Sequence, residues 1–318
     1  MPLKYSHKQD NSKQGEVTAQ GGGKTGGDKP RPYIKTAQGG DKLRPYIKLF
    51  LLLCLLMFPL LACDAAPSVS VSVNGTPIIS SSNGASNGSK LNVWNKVSPG
   101  VELRYEDWKN PDGDDDTVTI ARFDLHKVKL SVGYQPGQPL LMHEWMQQGR
   151  AIAIINGGYF DQQNNATALV VSNGKVFGES YAGFGGMLSV NSQGKVSLRS
   201  LHQQPYYPNK EQLEQATQSS PMLMLGGKRT QFNADASQTR RSIVAMDKQG
   251  HLLFLVSPGQ VFSLDQLADQ LASSDLSIDT ALNMDGGAST GLYVNAGRSH
   301  VAIDSLAKLP LVVIIKAP

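Results

Sequence analysis

The chain has 318 residues, 40% hydrophobic and 18% charged, with a formal charge of +4. This length allows one or two domains, and the balance excludes a coiled coil, a wholly disordered chain and a polytopic membrane protein. Residues 1–63 hold 10 Lys/Arg against 4 Asp/Glu and the rest of the chain 20 against 22, so the C-terminal bulk carries no electrostatic footprint for a nucleic-acid partner.

Residues 1–48 are rich in Gly, Lys and Gln and predict a disordered basic segment. A short tandem repeat lies within it: Thr18-Ala-Gln-Gly-Gly leads to Pro32-Tyr-Ile-Lys35, and Thr36-Ala-Gln-Gly-Gly leads to Pro45-Tyr-Ile-Lys48. Residues 49–63 are apolar, but they fall short of the roughly 20 residues of a bilayer span and Pro59 interrupts them. They read as a signal segment behind a basic n-region. Leu60-Leu61-Ala62-Cys63 resembles a bacterial lipoprotein signal, which implies lipidation at Cys63; the alternative is an uncleaved anchor. Either reading tethers the remainder to a membrane of the bacterial cell envelope, outside the cytoplasm. Asp64 resembles the retention signal that keeps enteric lipoproteins on the periplasmic side of the inner membrane. Residues 64–90 read as a flexible tether. Cys54 and Cys63 are the only cysteines, so residues 91–318 carry no disulfide and no Cys-ligated metal.

From residue 91 the pattern becomes globular. Alternation predicts strands at Val118–Asp124 and Val128–Tyr134, then a short helix at Leu140–Gln148. Ala151–Ile155 is apolar throughout and predicts a buried strand. Leu169–Ser172 and Lys175–Phe177 flank an Asn173-Gly174 hairpin turn, and Met187–Val190 and Lys195–Leu198 flank another. Asn209 with Gln212, and Ser263 with Gln266, predict capping boxes opening two helices. Arg241–Met246 and Leu252–Val256 pair across Asp247–Gly250, and Ala281–Met284 and Leu311–Ile315 complete the strands. The expectation is a single α+β domain over 91–318, with a mixed, largely antiparallel sheet and a few helices.

Two strands run into the same kind of turn. Ala151–Ile155 delivers Asn156-Gly157-Gly158-Tyr159, and Ala281–Met284 delivers Asp285-Gly286-Gly287-Ala288-Ser289-Thr290. Paired glycines admit a ligand close to the backbone, successive free amides can bind an anion, and Ser289 and Thr290 add hydroxyls. The same spacing also suits tight structural turns. Arg241 heads a strand, where a guanidinium can donate two parallel hydrogen bonds to a phosphate. Asp112-Gly-Asp114-Asp-Asp116 lacks the glycine and distal glutamate of a calcium loop and reads as an acidic hairpin tip. His143-Glu144 lacks the second histidine of a zinc protease motif, and neither a serine-hydrolase elbow nor a nucleotide phosphate loop is present. The residues call for no metal and no cofactor.

Five blocks taken together resemble the phosphodiester glycosidase family, over a stretch starting near Ser98 and running to the C-terminus. They are Ile155-Asn-Gly-Gly-Tyr-Phe160, Val171-Ser-Asn-Gly-Lys175, Pro221-Met-Leu223, Arg241-Ser242 and Leu282-Asn-Met-Asp-Gly-Gly-Ala-Ser-Thr290. The chain departs from the family pattern at Ala166-Thr-Ala168, where a Pro and a Gly are common. The resemblance implies hydrolysis of the sugar–phosphate bond of a sugar-1-phosphodiester or phosphorylated glycan. A phosphomonoester leaving group, with a second pKa of about 6, needs little help from a general acid. A fixed cation and backbone amides can stabilise it instead. On this reading Arg241 holds phosphate, Asp285 activates water or attacks the anomeric carbon, and Asn156 orients a sugar hydroxyl or phosphate oxygen. Gly157, Gly158, Tyr159, Gly286, Gly287, Ser289 and Thr290 then line the substrate. The competing expectation is a non-catalytic lipoprotein that binds an envelope glycan or phosphopolymer.

Overall fold

The computed structural model describes residues 90–318. The expectations for residues 1–48 and 49–63, for lipidation at Cys63 and for all but Lys90 of the 64–90 tether lie outside the described residues.

Among the described residues, eighteen strands form three sheets, and every pairing is antiparallel. The first sheet runs in the order β1 (Asn95–Ser98), β2 (Val101–Lys109), β3 (Asp115–Phe123), β14 (Leu252–Phe262), β13 (Thr239–Asp247), β15 (Ile278–Asn283), β11 (Met222–Leu225), β12 (Lys228–Arg229). The second runs β17 (Ser299–Ile303), β16 (Leu292–Ala296), β5 (Ala153–Asn156), β18 (Leu311–Lys316), β4 (Lys129–Tyr134). The third runs β7 (Lys175–Phe177), β6 (Val170–Ser172), β10 (Leu213–Ser219), β8 (Gly186–Asn191), β9 (Val196–Ser200).

The main core lies between the first two sheets, where Phe123, Val244, Phe254 and Leu282 meet Ile155, Leu292 and Val313. Two helices cover outer faces. Helix α2 (Leu264–Ser273) lays Leu264, Leu267 and Leu271 over Ile243 and Leu255 of the first sheet. Helix α1 (Met142–Gly149) lays Met142 and Trp145 over Ile154 and Val312 of the second. The apolar run of β5 follows from this layering: Ala153 and Ile155 face the inter-sheet core while Ile154 faces α1.

Two expectations need correction. The domain is not α+β. It is mostly β, 47% strand and 9% helical, with two α-helices among the described residues. Strands such as β13 and β14 bury both faces, so sheet-on-sheet packing supplies the core and helices only cap it. The Asn209/Gln212 helix is also absent. The chain there passes through a turn into β10, which pairs on both sides with β6 and β8, and Glu211 bonds Arg199 and the Tyr207 amide. Ladder bonds on two edges outweigh a local capping signal. The Ser263/Gln266 box does open α2, with the Gln266 amide 3.2 Å from the Ser263 hydroxyl and the Ser263 amide 2.9 Å from Gln266 Oε1.

Candidate active site

The site is built on the register between β13 and β15. Ile243 stands opposite Asn283 and Val244 opposite Leu282. The Met284 amide donates to the Ser242 carbonyl at 2.9 Å, so the pairing continues past the end of β15. Continued by one residue, that register sets Arg241 across from Asp285, before the Gly286 amide leaves the ladder for the Asp285 carboxylate. The glycines agree: a Cβ on Gly286 would lie 3.0 Å from the Arg240 carbonyl, and one on Gly287 3.4 Å from the Thr239 hydroxyl. Facing residues of an antiparallel pair share a sheet face with Cβ atoms about 4.5–5.5 Å apart. Arg241, Asp285 and Asn283 therefore crowd one face, the one that carries α2.

The Arg241 side chain is 6% exposed. Its Nε donates to the Phe262 carbonyl at 3.2 Å, and its Nη2 to the Ser237 carbonyl at 2.5 Å and to Asp235 Oδ2 at 3.2 Å. Nη1 has no hydrogen-bond acceptor among the described residues, so one edge of the fork is left for a ligand. The Ser237 hydroxyl, with help from Arg241, holds the Asp235 carboxyl below the usual range. Asp285 behaves oppositely. Burial pushes its carboxyl above the usual range, against the pull of the Ser289 hydroxyl and of the Gly286 amide, which donates at 3.0 Å.

Tyr159 completes the cluster. Its hydroxyl donates to the Ser220 carbonyl at 2.8 Å and accepts from Asn283 Nδ2 at 2.8 Å. Burial, reinforced by the nearby Asp285 charge, pushes the phenol up to about 12, so it stays a neutral donor. Asn283 Nδ2 also reaches the Ser220 carbonyl at 2.9 Å, while its buried Oδ1 has no hydrogen-bond partner among the described residues.

Asn156 lies beside this cluster, with its amide spent on the protein. Nδ2 donates to the Asp285 carbonyl at 2.7 Å, and Oδ1 accepts the Gly291 amide at 3.2 Å. The Asp285 amide returns a bond to the Gly157 carbonyl at 3.1 Å. The two glycine turns are thus stitched to each other. Gly157 and Gly158 have packing reasons to lack a side chain: a Cβ would fall 2.3 Å from Leu311 Cγ and 2.1 Å from the Gln218 carbonyl oxygen, respectively. The Gly157 amide is taken by the Leu311 carbonyl and the Gly286 amide by its neighbour's carboxylate. Ser289 touches Asp285, and Thr290 is buried, its hydroxyl unpaired among the described residues. The structure therefore brings Asn156, Tyr159, Arg241, Asp285 and Ser289 together, while the Gly157 and Gly286 amides face inward.

Sequence reasoning missed Asn283, Asp235 and Ser237. Asn283 had a signal, an amide inside an apolar strand two residues before Asp285 and hence on its face. Asp235 and Ser237 lie in an irregular segment with no periodicity to read.

The phosphodiester glycosidase family model matches residues 149–315. Among solved structures, the chain is similar to the catalytic domain of zebrafish N-acetylglucosamine-1-phosphodiester alpha-N-acetylglucosaminidase, auto-inhibited by its pro-peptide. The TM-score is 0.57 at 19% identity, covering 70% of this chain and 86% of that one. It is also similar to a hypothetical protein from Synechocystis, with a TM-score of 0.54 at 14% identity, covering 69% of this chain and 62% of that one. At these identities the likeness is one of fold. No curated protein matches the chain.

Proposed function

The chain belongs to the phosphodiester glycosidase family, a family of glycosidase-type hydrolases, and from that premise we propose that it hydrolyses the sugar–phosphate bond of a sugar-1-phosphodiester on the sugar side. The observation that carries this reading is the end of the β13–β15 ladder, where the Ser242 carbonyl holds the Met284 amide at 2.9 Å, so that Arg241 and Asp285 are the next residues on either side. A guanidinium and a carboxylate that both act on the Tyr159 hydroxyl suit a substrate with a phosphate next to an anomeric carbon.

Arg241 directs its free Nη1 at the phosphate and stabilises the departing phosphomonoester. Being buried and tied to two carbonyls, it needs no reorganisation as charge develops. Asp285 works at the anomeric carbon. Its raised pKa makes it a stronger base than an exposed aspartate. If it deprotonates water, the anomeric configuration inverts; if it attacks directly, a second displacement restores it. Proton NMR of the first-formed anomer distinguishes these routes. Tyr159, whose proton goes to the Ser220 carbonyl, keeps a lone pair to accept from a sugar hydroxyl. Asn156 is a positioning residue that fixes the Asp285 backbone. The setting we propose is the bacterial envelope, with the chain anchored through its N-terminal segment; that rests on the sequence of residues 49–63.

The test is incubation of the full-length chain with a panel of sugar-1-phosphodiesters. Free sugar and a phosphomonoester are expected. Arg241→Ala is expected to lower kcat by about 10²–10³, and Asp285→Asn by about 10²–10⁴. Saturable binding without turnover across the panel, or full activity in Asp285→Asn, overturns the reading and favours a binding protein.

A further inference from the structure

Across the first sheet the order β13, β15, β11, β12 lays out the chemistry in a line. Arg241 comes first, then Asp285 and Asn283, then Ser220 and Pro221, whose carbonyl takes the Asn283 amide at 3.0 Å. Beyond Ser220, on the side away from Arg241, a cleft of about 660 Å³ opens. Phe232 and Leu264 of the α2 core line it together with Met222 and Leu225 of the inter-sheet core, so it opens at the β11–β12 edge of the sheet, next to the end of β15 that carries Asn283. The cleft and the catalytic cluster share one wall, because the Ser220 residue that lines the cleft is the residue whose carbonyl holds Tyr159 and Asn283.

The lining has a definite chemical character. It includes no Asp, Glu, Lys or Arg. It combines two aromatic rings, Phe184 and Phe232, with neutral hydrogen-bonding groups such as Gln203, Thr230 and Asn233. Phe184 is 53% exposed and is backed by Tyr181, stacked at 4.5 Å between centroids with 20° between planes. A propped, exposed ring beside amides and hydroxyls matches a pyranose, which shows an apolar face of C–H groups and an edge of hydroxyls. The one titratable side chain in the lining is His202.

Size narrows the occupant. At about 660 Å³ the cleft lies well inside the roughly 300–1,000 Å³ range of clefts that hold ligands of more than one ring.

Resting on the function proposed above, we infer that this cleft receives the glycosyl half of the substrate, and that this half is a neutral oligosaccharide of at least two units. The phosphate then lies over β13, the scissile bond over Asp285, and the glycan extends over β11 and β12. Phe184 and Phe232 are specificity-determining residues for glycan length.

The experiment uses the full-length chain and two phosphodiesters with the same small aglycone, one carrying a single neutral sugar and the other a neutral disaccharide. The disaccharide is expected to give a kcat/KM at least about tenfold higher, and the ratio is expected to fall toward one in Phe184→Ala and Phe232→Ala. A ratio of one in the unaltered chain, or an unchanged ratio in both variants, overturns the inference while leaving the hydrolytic function standing. Binding of the free disaccharide, followed by ligand-observed NMR, separates the two claims. Binding that is lost in Phe184→Ala, without hydrolysis of either ester, keeps the cleft assignment and sinks the catalytic reading. Absence of binding together with equal turnover of the two esters does the reverse.

Discussion

Burial holds the Asp285 carboxyl above its ordinary range, which means that the folded protein disfavours its charge. The sign of the linkage follows. Between the unfolded carboxylate pKa and the raised folded value, the folded state binds more protons, so this group's contribution to stability falls as pH rises through that window. At neutral pH the ionised carboxylate is a cost, which is absent below the unfolded pKa. Asp285→Asn should therefore keep or raise the melting temperature at pH 7 while removing activity, as checked by thermal denaturation beside kinetics. The acid limb of the kcat/KM profile should lie above the usual aspartate range, because only the ionised form acts at the anomeric carbon. Tyr159, pushed up to about 12, should add no alkaline limb below about pH 10, the ordinary phenol value. Asp285 and Arg241 stand out as candidates in the sequence because they lie at strand ends inside blocks that resemble the family. The role of Asn156 is not: the residue type suits a ligand, but its partners are backbone groups 129 and 135 residues away, which only the tertiary fold reveals.

At the scale of elements, the close approach of the turn after β5 to β10 is the tightest demand on sequence near the site. Gly158→Ala would drive a methyl into the Gln218 carbonyl, and overpacking of this kind costs about 1–3 kcal/mol. Gly137→Ala, with nothing within 4 Å, should stay within about 0.5 kcal/mol. Urea denaturation of the two variants checks the contrast. Helix α2 matters through its first turn, since the Phe262 carbonyl just before the Ser263 cap holds Arg241. Ser263→Ala should cost about 1 kcal/mol. The hairpins were readable because their turns have a local cause: Asn173 and Gly174 both take positive φ and return β6 to β7 in the expected register. The Asn209 segment was not, because its fate is set by the two strands that flank β10.

For the molecule as a whole, the hydrophobic pattern marked where strands lie but not how they stack. A strand buried on both faces looks alike whether a helix or a second sheet covers it, and so the share of helix was overestimated. Its packing also explains the position of the site, at the end of the first sheet where β13 and the turn after β15 run past the main core. The central claim is that Asp285 acts on the sugar carbon while Arg241 holds the phosphate. Hydrolysis of a sugar-1-phosphodiester in ¹⁸O-labelled water, read by mass spectrometry of both products, tests it most directly. The label should appear in the anomeric hydroxyl of the released sugar and not in the phosphomonoester. Label in the phosphate would show attack at phosphorus and contradict the account.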